Sequence, residues 1–98
     1  MAQYDVYKTN RSEDFYVCEL QNDIHSNFQT VVTIPLFPVD KETGSKLNPI
    51  IDINGKDYFL KTQEMSVFYR PHLGRKITNI SQHHYDITNA IDFLFHGF

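Results

Sequence analysis

The chain has 98 residues, a formal net charge of −3 and a sequence pI of about 5.9. Its nine Lys and Arg residues are scattered, which argues against direct nucleic-acid binding, since that ordinarily shows as a basic patch. One cysteine, Cys18, rules out an intrachain disulfide and fits a reducing, cytoplasmic setting. No apolar run reaches the roughly 20 residues of a membrane span, and no leader peptide is read, so no membrane partner is expected. A single domain over residues 1–98 is expected. Eight Phe and six Tyr are many for so small a core, and some suit burial against a second copy.

In chain order, Tyr4 to Lys8 alternates weakly and reads as a strand. Asn10 to Asp14 is a polar turn, and Phe15 to Leu20 is a second strand. Cys18 within it reads as a small buried hydrophobe. Thr30 to Leu36 is rich in β-branched residues and reads as a buried strand. Pro35 places its end at a sheet edge or a bulge. Phe37 to Asn48 reads as an exposed loop. Ile50 to Leu60 is a β-hairpin about Asn54-Gly55, a pair that tolerates the positive φ of a type I′ turn. Met65 to Arg70 is a further strand, ended by Pro71-His72-Leu73-Gly74.

The period changes after residue 80. Ser81 reads as a helix cap, and Ile87, Ala90, Ile91 and Leu94 recur at helical spacing. The expected helix runs from about Gln82 to Phe95 and stops at Gly97. The fold class is therefore mainly β: a small barrel-like antiparallel sheet closed by one C-terminal helix. His83-His84 reads as a solvated helix start, because adjacent helical residues point apart and no ligand spacing completes a metal site. Asp23 and His25 read as a surface turn. No metal and no cofactor are expected.

The stretch Tyr85-Asp86-Ile87-Thr88-Asn89-Ala90-Ile91-Asp92-Phe93-Leu94-Phe95-His96-Gly97-Phe98 resembles the closing helix of the CcdB toxins. That helix carries an Asp-Ile-x-Asn-Ala-Ile core and ends in Gly and an apolar residue. Val6-Tyr7, Leu20-Gln21-Asn22-Asp23-Ile24, Thr33-Ile34-Pro35-Leu36 and Leu47-Asn48-Pro49 match family segments in the same order. The resemblance implies an SH3-like barrel, a two-fold homodimer, and the toxin half of a plasmid or chromosomal toxin–antitoxin pair. It further implies binding to the A subunit of DNA gyrase, trapping of that enzyme on cleaved DNA, and neutralisation by an antitoxin with a disordered tail.

Carried over by position, the gyrase-binding surface is Asn22, Ile24, His25, Thr88, Asp92, His96, Gly97 and Phe98. Met65, Ile91 and Phe95 fall at the dimer interface. Gly97 and Ile24 match the family. His96 stands where its best-known member has Trp, His25 replaces an apolar residue, and Asp92 replaces Asn. A poison of this type needs no catalytic residue, only binding that favours one state of its target. On that reading the chain is not an enzyme.

Two other functions compete with it. The fold-related Kid and MazF toxins are endoribonucleases, and fold alone does not separate them from this chain. For RNA cleavage, Arg11, Arg70 and Arg75 with neighbouring His or Asp would supply the charged groups. The third reading is a non-toxic relative that still binds an antitoxin.

Overall fold

The computed structural model describes residues 2–9, 15–25 and 27–97. Among these residues seven strands come first: β1 (Asp5–Thr9), β2 (Tyr16–Glu19), β3 (Thr30–Pro38), β4 (Ile50–Ile53), β5 (Lys56–Leu60), β6 (Ser66–Tyr69) and β7 (Leu73–Asn79). One helix, α1 (His84–His96), follows. The strands form one antiparallel sheet in the order β4-β5-β3-β2-β1-β7, with β6 added beside β3. The mainly β architecture with a closing helix is as expected. The turn Asn10–Asp14 lies outside the described residues.

Register explains the core. Val6 pairs with Cys18 and Cys18 with Ile34, so these three side chains share one face. Leu36, Ile51, Ile53 and Leu60 extend that face, and Ile80, Ile87 and Ala90 close over it from the C-terminal segment. Cys18 is fully buried there, as a small hydrophobe would be. The opposite face of β1 and β2 is buried as well. It holds Asp5, Tyr7, Val17 and Glu19. Because β2 is buried on both sides, its successive residues Val17 and Cys18 are both apolar although they point to opposite faces.

The hairpin forms as the sequence dictates. Asn54 has φ 53° and Gly55 φ 88°, both left-handed, between β4 and β5. A Cβ added at Gly55 meets nothing within 4 Å, so any effect of a side chain there is conformational strain. Gly55→Ala is expected to destabilise the domain by about 1 kcal/mol, read as a shift in urea midpoint with unchanged slope. No shift would show that this turn adopts another backbone form.

Pro35 is not at an edge. It lies in the interior of β3, opposite Val17 of β2. Its carbonyl accepts from Lys61 N at 2.9 Å on the other side. On that side β6 pairs with Thr30–Thr33 and β5 begins pairing at Leu36. The missing N–H of proline thus falls in the gap between two short neighbours, where no ladder bond is lost.

Two further expectations change. Leu73 and Gly74, expected to end the preceding strand, open a new one, β7, which runs to Asn79 and pairs with β1 through shifted register. Ser81 does not cap α1. It opens a 3-10 turn, Ser81–His83, and the cap position is His83, without a side-chain hydrogen bond. Asn79 bonds there instead, its Oδ1 accepting from Ser81 N at 2.9 Å.

Asp5 ties β1 to β7. Its carboxylate accepts from Ala2 N at 2.7 Å and Asn79 Nδ2 at 2.8 Å, and Lys76 Nζ lies 3.2 Å away. Burial pushes its pKa up, but the Asn79 amide, the Ala2 N–H and Lys76 outweigh burial and hold it below the ordinary value. A depressed folded pKa contributes stability above the unfolded value, and that stability is lost as pH falls through the folded one. Melting temperature should therefore drop below about pH 4, and Asp5→Asn should flatten that part of the profile. An identical acid limb in the variant would remove Asp5 from this role.

Candidate partner-binding surface

The apolar spacing that builds α1 also fixes what it displays. Ile87 and Ala90 are fully buried against the sheet, and Ile91, Phe93 and Leu94 are partly covered. Thr88, Asp92 and His96 follow at four-residue steps on another face, and all three are exposed. They form a stripe about 12 Å long. Phe95 flanks its end and is 65% exposed. Gly97 ends the helix with φ 79°, donating its N–H to Phe93 O at 3.0 Å. Lys46 Nζ sits 5.3 Å from the centre of the Phe93 ring and draws the loop after β3 against this end. Phe98 lies outside the described residues.

The second group of expected contacts is a 3-10 turn, Asp23–His25. Asn22 Oδ1 accepts from Ile24 N at 3.1 Å, and Asp23 Oδ1 accepts from Gln3 N at 2.7 Å. Asn22 and Asp23 thus build the turn. Ile24 is left outward, 77% exposed, and the His25 ring stacks on Phe28 at 5.3 Å.

These groups have different anchors. The turn is tied to Gln3, and the next residue, Tyr4, accepts from Ile80 N just before the helix. The helix tip lies at the other end of the 13-residue helix, about 20 Å from its start. Of the residues expected at a dimer interface, Met65 and Ile91 pack against the core of this same chain, and Phe95 points outward. Of the cations weighed for RNA cleavage, Arg70 is buried in an ion pair with Glu19 at 3.2 Å. Arg75 is exposed on β7, and Arg11 lies outside the described residues.

Sequence reasoning missed an apolar surface. Phe28, Val67 and Tyr69 are all substantially exposed, and Tyr69 meets His72 edge-on at 5.3 Å. The period of β6 was visible in the sequence, but which of its faces turns outward was not. Among the described residues, no group of three or more His, Cys, Asp or Glu is placed to hold a metal ion. No helix among them is long and apolar enough to cross a membrane.

No curated protein matches the chain in sequence. Solved structures share its fold. The Mycobacterium tuberculosis toxin MazF-mt6 superposes with a TM-score of 0.77 at 14% identity, over 93% of this chain and 95% of that one. An endoribonuclease from a mycobacterial species gives 0.76 at 11% identity, over 97% and 90%. An endoribonuclease in complex with its cognate antitoxin, also mycobacterial, gives 0.76 at 10% identity, over 97% and 94%. The expectation that the chain is not an enzyme is corrected by these structures. Its fold is one on which endoribonucleases are built, so bond-breaking chemistry is not set aside by architecture. The CcdB family model (CcdB protein) matches residues 3–97, nearly the whole chain. The chain therefore belongs to the CcdB family, the toxins of toxin–antitoxin pairs.

Proposed function

We propose that this toxin binds the A subunit of DNA gyrase and traps the enzyme on cleaved DNA. The observation that carries the reading is the exposed stripe Thr88, Asp92 and His96, beside an outward Phe95 and ended by Gly97. A helix face that its own sheet leaves uncovered can present side chains to a foreign protein. Ile24 and His25 supply a second contact region, and on this reading Phe98 is a further contact residue. In this reading the chain works as a homodimer, with Phe95 near the two-fold axis and Met65 and Ile91 beneath it. An antitoxin with a disordered tail neutralises it by folding onto its surface. The solved relative bound to its cognate antitoxin supports that kind of partner.

A second reading has its own observation. The fold match to endoribonucleases at TM-scores of 0.76 supports cleavage of RNA as the toxic act. One experiment separates the two. Purified protein is added to gyrase with supercoiled plasmid, and in parallel to total cellular RNA. Linear DNA released by denaturing the gyrase reaction supports the first reading. Cut transcripts with gyrase unaffected support the second.

A further inference from the structure

We propose that Arg70 is a positioning residue for the turn Asn22–His25 and for Phe28 and Gln29 beyond it, which together carry Ile24, His25 and Phe28. The inference rests on the reading of Ile24 and His25 as partner contacts. Arg70 follows β6 and its side chain is nine-tenths buried. Its Nε donates to Phe28 O at 2.6 Å, and its Nη2 donates to Glu19 Oε2 at 3.2 Å. Its backbone N donates to Gln29 O at 2.7 Å. Glu19 is fixed in β2 opposite Thr33 of β3 and is almost fully buried, so the guanidinium is anchored at the centre of the sheet.

The consequence runs outward through the segment. Phe28 is held by its carbonyl, and its N–H donates to His25 O at 3.1 Å. The Phe28 ring stacks on the His25 ring at 5.3 Å, and Asn22 holds Ile24 at the far end of the same turn. Between Asn22 and Arg70 the turn has few apolar anchors of its own, since Ile24, His25 and Phe28 are all exposed. A planar fork with donors in two directions suits this role, whereas an ammonium offers one compact charge. Holding a recognition segment in its bound shape raises affinity by lowering the ordering cost.

The test uses Arg70→Lys, together with a double variant, Arg70→Gln with Glu19→Gln, that removes both buried charges so that neither is left unpaired. Amide hydrogen exchange is read at Ile24, His25 and Phe28 and compared with Cys18 and Ile34 in the core. Binding of the gyrase A subunit is titrated alongside. Exchange in the segment should rise about tenfold or more with the core amides unchanged, and gyrase affinity should fall about tenfold. Three results overturn the proposal: no change in the segment, an equal rise throughout the core, or a loosened segment with undiminished gyrase affinity. If the unaltered protein does not bind gyrase, the functional reading fails, and the exchange comparison alone decides whether Arg70 holds the segment.

Discussion

Ending the chain at Phe95 is expected to abolish target binding and leave the domain folded. Of the three residues removed, His96 and Gly97 are exposed, and a Cβ added at Gly97 meets nothing within 4 Å. The anchors of α1 are Ile87 and Ala90, one to two turns further back. The truncation loses the left-handed cap at Gly97, an effect of about 1 kcal/mol. That corresponds to a melting shift of roughly 4–8 °C for a domain of this size. Binding should weaken by about a hundredfold or more, because interface energy concentrates in a few central side chains. Antitoxin binding should survive. Calorimetry against the gyrase A subunit, with circular dichroism as the folding check, reads both effects. Global unfolding of the truncated chain would make the tip structural.

The opposite outcome is expected one helical position before Thr88. Ile87 is fully buried in the cluster that joins α1 to Ile34, Leu36 and Ile51. Ile87→Ala removes buried methyl groups and leaves a cavity, an effect of about 2–5 kcal/mol. Total stability for a domain of this kind is about 5–15 kcal/mol, so the loss is a large share of it. Thr88→Ala, at the adjacent exposed position, should change stability by less than about 0.5 kcal/mol. The pair of urea midpoints tests whether α1 closes the core on the Ile87 face and displays the Thr88 face. Equal midpoints would mean that the two faces are assigned wrongly.

What was legible in the sequence followed from local physics. Asn54-Gly55 specifies its turn without help from the rest of the fold, and the four-residue recurrence after Ile87 specifies which helix face is buried. Pro35 was legible as a strand exception, but its reason was not. Two different strands share one side of β3, and no local pattern announces that gap. β7 was missed because Arg75-Lys76 interrupts its apolar pattern, and its partner β1 lies about 70 residues away, as in the pair Asp5 and Asn79. Ser81 looked like a cap because capping chemistry is local, yet the helix begins one 3-10 turn later.

The candidate surface was legible to the extent that exposure follows from period. Thr88, Asp92 and His96 fall on one face by spacing alone. Ile24 was placed through family likeness, and the structure leaves it outward. The Arg70–Glu19 pair had no sequence signal, since its members are 51 residues apart and meet only through the β2-β3-β6 pairing.

On the proposed function, the exposed stripe of α1 grips another protein. Nuclear magnetic resonance of the labelled chain, titrated with the gyrase A subunit, tests it directly. Saturable shifts are expected at Thr88, Asp92, His96 and Gly97, with Ile24 and His25 joining them and the core signals of Val6 and Ile34 unmoved. Shifts absent with gyrase, but produced by an RNA fragment along the sheet at Arg75 and Lys76, would contradict it.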